Sequence, residues 1–393
     1  MTYTNEARML MRMNANKILR LCSCIFVYLF VIYSCWGPLR VCAGERNGIT
    51  GAPVLQIPLG ARALAMGGAY TAVGEDLYAL NYNPAGLSQI TAHELTGMFV
   101  KGLDDTRLEF FGYGQPLPLR GLAGEKYPVV AGSLLLSQNG EIEFNQTNPD
   151  GSFLSSQKLS AGSDMVLSLG YAERLGETSE SYGVSHSMGV VGKMIYSTLA
   201  ETYHARAFAL DAGYLAQLSE FHSSFGLSLH NVGSEIKFID TADPLPLLLR
   251  TGLSHTAFFH DQRLILAANY DYLIHEKNWG LGGGMEYTHD SFLAFRIGYR
   301  AHTDLEGVTV GVGIRQGEVS LDYAWGMMNS LEDTHRLTLN YRFGKMEIQE
   351  RIKIRRRTRD PESDSIPIQE EKKPLSPENQ EKRKKEGIPG WIY

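Results

Sequence analysis

From about residue 93 to residue 343 the chain alternates apolar and polar positions with a period of two, the mark of strands with two unlike faces. In 335–343, His335, Leu337, Leu339, Tyr341 and Phe343 share one face, and Arg336, Thr338, Asn340 and Arg342 the other. Leu293, Phe295, Ile297 and Tyr299 oppose Ala294, Arg296, Gly298 and Arg300 in the same way. So do Val319, Leu321, Tyr323 and Trp325 against Ser320 and Asp322. The runs are about nine to twelve residues long, the length a tilted strand needs to cross hydrocarbon, whereas soluble strands average about five or six. Tyr and Trp cluster near the ends of the apolar rows, where an interfacial girdle belongs. The polar face is Gly, Ser and Ala with scattered Arg and Asp, which suits a crowded lumen better than open water. The pattern predicts a transmembrane antiparallel β-barrel of about fourteen strands. An even count puts both barrel ends on the periplasmic side. His289-Asp290 and 316–317 then read as tight inner turns, and 145–162, 233–245 and 326–333 as outer loops.

Residues 60–92 do not alternate. Ala61 to Met66 favours a helical turn, ended by Gly67-Gly68, and Glu75-Asp76 opens a second short helical stretch to about Leu80. Asn83-Pro84 forces an extended or turn conformation, with Gly86 free to take positive φ. A segment this apolar ahead of the first strand is expected to pack inside the barrel as a plug or beneath it as a cap.

Upstream, Arg8, Arg12, Lys17 and Arg20 precede an uncharged apolar run from Leu21 to Trp36, and Val41-Cys42-Ala43 supplies a small-residue cleavage site. That is the layout of a secretory signal peptide over 1–43, with a retained anchor as the rival reading. All four cysteines (Cys22, Cys24, Cys35, Cys42) lie in that segment. Residues 44–393 therefore offer no disulfide, thiolate nucleophile or cysteine metal site. The organisation expected is signal peptide 1–43, plug or hatch 44–92, barrel 93–344 and a charged, disordered periplasmic tail 345–393.

Charge sharpens this division. The net −6 combines five basic and one acidic residue in 1–43, 19 and 32 in 44–344, and 13 and 10 in 345–393. An acidic body argues against nucleic-acid binding. The tail's basic cluster, Arg351 to Arg359, suits a solvated segment or a contact with anionic lipid or a periplasmic partner. No Walker A loop, His-Glu-x-x-His or Gly-x-Ser-x-Gly is present, and glycines such as Gly282, Gly284 and Gly311 lack the following helix that dinucleotide binding requires. They read as relief of crowding in a narrow lumen. No enzyme, cofactor or metal site is expected. Arg250, Asp271, Glu286, Arg296, Arg300, Arg315, Asp322, Arg336 and Arg342 all fall on the lumenal face. They either pair with one another and fill the barrel or form a charged site for the anionic head group of a ligand.

The run GARALAMGGAYTAVGEDLYALNYNPAGL, residues 60–87, resembles the N-terminal signature of PorV/PorQ-type outer-membrane proteins, grouped with the FadL-type fatty-acid channels. Gly60, Arg62, Gly67 and Gly68 belong to the matched stretch, and Asn83, Pro84 and Ala85 match the Asn-Pro-Ala element of the FadL hatch. Asp322-Tyr323-Ala324, Thr334-His335-Arg336 and Tyr341-Arg342-Phe343-Gly344 resemble the way PorV-like barrels finish. The resemblance implies a fourteen-stranded outer-membrane barrel with the N-terminal segment folded inside. For function it implies a FadL-like conduit for hydrophobic or amphipathic small molecules. The alternative is a PorV-like part of a protein secretion system that binds exported cargo, with the tail meeting its periplasmic machinery. The 49 residues beyond the last strand depart from that pattern.

Overall fold

The computed structural model describes residues 48–101, 106–123, 127–179, 183–259, 261–302, 307–327 and 333–344. The expected signal peptide and tail lie outside them. The strands are β1 His93–Lys101, β2 Arg107–Pro116, β3 Val129–Thr147, β4 Phe153–Ser179, β5 Val184–Leu199, β6 Tyr203–Leu218, β7 Ser223–Gly233, β8 Ile236–Lys237, β9 Ala242–Asp243, β10 Leu248–Phe259, β11 Gln262–Leu273, β12 Asn278–His289, β13 Leu293–Ala301, β14 Gly307–Gln316, β15 Val319–Gly326 and β16 Thr334–Phe343. Fourteen of them, all but the short pair β8–β9, form one closed barrel with every neighbour antiparallel. Closure runs from His93 opposite Phe343 to Lys101 opposite His335. Around the closed ring no strand is left with a free edge, which is the condition for a sheet to sit in lipid.

The two faces are those the alternation separates. Leu337, Leu339 and Tyr341, Phe295 and Ile297, and Leu167 and Leu169 all stand exposed on the outside. Arg336, Thr338 and Asn340 are buried within. Aromatic and histidine side chains stack near both ends of these rows. Trp279 lies flat on His302 with ring centres 3.8 Å apart, and His335 stacks near Tyr323 and Trp325. At the opposite rim, Phe343 stacks on His93 and Tyr341. His335 and Phe343 are eight residues apart on β16, about 26 Å of strand at ~3.3 Å per residue. With a tilt near 40° that covers roughly 20 Å, close to the ~25 Å apolar band of such barrels.

Both ends of the barrel chain, the start of β1 and the end of β16, lie at one rim, called here the terminal rim. The far rim carries the longest connection. β3 and β4 pair with each other past Asn139 and Gly162, where β2 and β5 stop. Residues 139–161 are thus a two-stranded ribbon turned at 148–152, reaching about nine residues, ~30 Å, past its neighbours. This corrects the expected loop 145–162: its Ser, Gln and Asn residues hide a strand pattern because both faces of a free ribbon meet solvent. The stretch 233–245 is also structured, with β8 and β9 paired and Ile236 and Leu245 buried. The turn expected at 316–317 falls at 317–318.

Residues 48–92 thread the lumen. Gly51 donates to the carbonyl of Pro244, and Thr50 and Gln56 bond Glu276, all at the far rim. Ile90 and Ala92 are buried at the terminal rim, where the chain enters β1. The segment is therefore a plug, not a cap, and it spans the barrel from rim to rim. Its first helix, Ala61–Ala65, sits where alanine and leucine predict one. The second begins at Ala79, later than expected, because the Asp76 carboxylate accepts from the Tyr78 amide and holds 76–78 in a turn.

Candidate functional site: the interface of plug and wall

Alanine and leucine give the plug small, apolar surfaces. Leu77, Leu80, Leu87 and Ile90 pack on Val129, Ala131, Ala172 and Val191 of the wall, and Ala61, Leu64 and Ala65 on Ala324. The inward glycines are explained by the same contact. Gly284 and Gly298 lie opposite each other on β12 and β13, and the Met66-Gly67 backbone rests on the flat patch they make. A Cβ on Gly298 would stand 2.1 Å from the Gly67 nitrogen, so no larger residue fits beneath the plug there. Gly67 itself has φ 64°, the left-handed region that glycine occupies freely. These glycines admit the plug rather than relieve a crowded open lumen.

The polar fastening has three parts. Nearest the terminal rim, Arg62 of the plug reaches Glu286 on β12 through two bonds, Nε to Oε2 at 2.7 Å and Nη2 to Oε1 at 2.8 Å. Glu286 also accepts from Arg296 at 2.7 Å and Arg263 at 3.2 Å, and Arg296 reaches on to Asp322 at 2.7 Å. Arg62 lies 3.0 Å from Glu75. Burial acts to raise the Glu75 carboxyl, but Arg62 and Arg263 together hold it below its ordinary range. Arg342 donates to Glu94 at 2.8 Å.

Midway, Asn83 works as a latch. Its amide donates to the carbonyls of Thr71 at 2.8 Å and Tyr214 on β6 at 3.0 Å, while its oxygen accepts from the Ala85 amide. Asn83 thereby ties two turns of the plug to the wall, and Pro84 starts the following 3-10 turn, whose Ala85 is fully buried. Gly60, with φ 82°, leaves room for the Tyr78 ring, and Gly68 lies against the Arg300 guanidinium.

Toward the far rim, a buried cluster sits at a bulge where Asp211 has no directly paired residue on β7. Asp211 takes Lys193 at 2.6 Å, His230 at 2.8 Å and the Asn231 amide at 2.8 Å, and His230 also reaches the Tyr82 carbonyl at 3.0 Å. Sequence reasoning passed over this group. Lys193 stands on the inward row, but a bulge is invisible to period-two counting because it breaks the register itself. Glu75, Asp76 and Tyr70 were missed for a different reason: nothing in a non-alternating segment says which side chains point at a wall 200 residues away.

All nine charged residues assigned to the lumen face inward, but they do not form one row. Glu286, Arg296 and Asp322 join Arg62, and Arg342 joins Glu94. Arg250 lies over the Tyr82 ring at 4.9 Å, donates to the Asn81 carbonyl at 2.7 Å and stands 3.6 Å from Asp271. Arg300 lines one gap with Arg250, Asp271 and Tyr82, and burial pushes the Tyr82 phenol up against the opposing pull of Arg250, Arg336 and Arg300. Arg315 and Arg342 open onto a vestibule at the terminal rim. This cavity of about 470 Å³ is lined by Glu75, Gln89, Glu94, Arg315, Ser320 and Arg342 among others. Gaps between plug and wall include ones of about 20, 30 and 10 Å³, each the room of roughly one water. Among the described residues no cluster of His, Cys, Asp and Glu could hold a metal ion.

No protein-family model matches the chain, and no curated protein matches it in sequence. Among solved structures, the Ralstonia pickettii toluene transporter TbuX aligns at a TM-score of 0.47 and 13% identity, over 73% of this chain and 98% of that one. The P. putida toluene transporter TodX aligns at 0.46 and 12%, over 73% and 99%. A Pseudomonas aeruginosa FadL homologue aligns at 0.43 and 10%, over 72% and 98%.

Proposed function

We propose that this chain is an outer-membrane conduit for a hydrophobic or amphipathic small molecule, closed at rest by residues 48–92 and opened when they shift. The observation that carries the reading is the vestibule. It is ligand-sized, it ends against the plug, and it presents the Arg315 guanidinium beside Ile90 and Ala92. That pairing of a cation with apolar surface suits an anionic amphiphile. The plug is fastened by ion pairs, by backbone laid on glycine and by an apolar contact in which Val54, Leu59, Met66 and Tyr70 meet wall residues such as Leu135, Val166 and Ile195, so opening requires the segment to shift against that contact.

In this reading the terminal rim faces the periplasm, the rule for an even-stranded barrel, and Gly48 lies at the cell surface. An epitope inserted after Gly48 is expected to be labelled on intact cells. Labelling that requires a permeabilised outer membrane would reverse the orientation.

The ribbon 139–161 favours a second reading, a PorV-like role in holding exported cargo, because its two open edges and its exposed Phe144 and Phe153 stand clear of the membrane. A resting conduit and a cargo holder are both sealed, so the closed lumen suits either. Mass spectrometry of the chain purified from its own membranes separates them. The conduit predicts a co-purifying anionic amphiphile whose occupancy falls roughly ten- to a hundredfold in Arg315→Ala, the loss of one charge-assisted hydrogen bond of ~1.5–3 kcal/mol. An exported protein at stoichiometric level, with no bound amphiphile, would replace it with the cargo reading.

A further inference from the structure

His230 stands where the wall meets the plug, and a neutral imidazole there leaves one hydrogen bond short. Asp211 of β6 accepts at Oδ2 from Lys193 of β5 at 2.6 Å and at Oδ1 from the Asn231 amide at 2.8 Å, which is the part of an ionised carboxylate. Its Oδ2 also lies 2.8 Å from Nδ1 of His230. An ionised carboxylate only accepts, so Nδ1 carries a hydrogen. In a neutral ring Nε2 is then bare.

Nε2 faces two oxygens. It lies 2.9 Å from the Ser228 hydroxyl and 3.0 Å from the Tyr82 carbonyl of the plug, and those two oxygens are 2.8 Å apart. With the ring neutral, this triangle holds one hydrogen, that of Ser228, for two acceptors, Nε2 and the Tyr82 carbonyl. Whichever it serves, the other is left short, and His230, Ser228 and Tyr82 are all no more than 2% exposed. A buried polar group without its partner is destabilising. One more proton, on Nε2, removes the shortfall: His230 donates to the plug carbonyl, and Ser228 donates to the second lone pair of the same oxygen.

We propose that His230 is a proton-operated clasp on the plug: its imidazolium holds the Tyr82 carbonyl, and loss of the proton weakens that hold. This rests on the reading that residues 48–92 move, and adds what regulates the movement. The clasp on Tyr82 and the latch at Asn83 bind successive residues of the plug, one to β7 and one to β6. Closing takes up one proton, so the closed state gains as pH falls. The charges around His230 set the pH at which this happens. Asp211 on β6 favours the imidazolium, while Lys193 on β5 and Arg250 on β10, which line one gap with His230, oppose it. The residues of β3 and β4 that line the same gap, Ser133, Leu135, Val166 and Ser168, carry no charge. That gap of about 20 Å³ has room for roughly one water to carry the proton. His230 is near Gly233, the far-rim end of β7, so in the orientation proposed above the clasp answers to acidity outside the cell.

Hydrogen exchange of the full chain in lipid nanodiscs tests this, read on plug peptides spanning 79–88 and corrected for the intrinsic effect of pH. Wild-type protection is expected to be about tenfold higher at pH 4.5 than at pH 7.5, the effect of one buried hydrogen bond. His230→Gln, whose amide donates at either pH, should show no such difference. Ser228→Ala should keep it, because the added proton still supplies the plug carbonyl. Equal wild-type protection at both pH values overturns the proposal, and so does a pH difference that survives in His230→Gln. A chain that shows the expected exchange pattern yet carries no amphiphile at any pH would refute the conduit and leave the clasp standing.

Discussion

Replacing Glu286 with glutamine is expected to turn a closed barrel into a leaky one. Glu286 is 1% exposed and accepts from three guanidiniums, those of Arg62, Arg263 and Arg296. A neutral amide of the same shape removes the wall's carboxylate from Arg62, leaving it only Glu75 and Asp76 of the plug itself, and turns an NH₂ group toward donors. Breaking a buried pair on one side costs about 3–5 kcal/mol. The fourteen-strand ladder does not depend on this residue, so the loss falls on the contact that can give way, the seat of Arg62 on the wall. The variant should show frequent openings in planar bilayers where the wild type is silent. Cells carrying it should become sensitive to bulky antibiotics that the outer membrane normally excludes. Glu143→Gln, on the exposed ribbon, should do neither. An Arg62 that stays as protected from trypsin in Glu286→Gln as in the wild type would show that the plug is held by its apolar contacts instead.

What the sequence discloses here divides by period. Alternation finds the barrel and a count of about fourteen, clearest from β4 onward and weak in the first three strands, since each inward residue is flanked by outward ones and lipid tolerates few exceptions. Leu337, Leu339 and Tyr341 could not have faced the lumen without placing Arg336 and Arg342 in hydrocarbon. The same logic places the nine charged residues inside the barrel. It cannot say what they meet there, because the partners of Glu286 and Glu94 depend on how a non-repeating segment is folded and threaded. Reading Arg296 and Arg300 as neighbours in one ligand-binding row illustrates the limit. They are four residues apart on one strand, yet Arg296 is tied to Glu286 and Asp322, and Arg300 stands against Gly68 in the gap it shares with Arg250, nearer the far rim. The hatch element was legible as a motif, and its mechanics were not: Asn83 matters through bonds to Thr71 and to Tyr214, 131 residues away. The ribbon was misread because its polar residues look like a loop wherever no core gives one face a preference.

The closed lumen also changes the weight of the glycines. A conduit with a permanent bore would line it with side chains that set its width. Here the wall is pared to backbone where the plug lies, at Gly213, Gly226, Gly282, Gly284 and Gly298. The plug is therefore a fitted part with its own bed.

Tying the plug down is accordingly the sharpest test. Thr71 in the plug and Gly252 on β10 approach closely, a Cβ on Gly252 standing 2.9 Å from that of Thr71. A disulfide needs ~3.8 Å, so the strand must give by about 1 Å. Residues 44–393 contain no cysteine, so Thr71→Cys with Gly252→Cys adds a single pair to them. Flux of a fluorescent long-chain amphiphile into proteoliposomes should drop to the level of protein-free vesicles when that pair is oxidised, and return on reduction. Oxidised chains, shown by gel shift to be fully cross-linked, that carry the amphiphile as fast as reduced ones would contradict a conduit gated by residues 48–92.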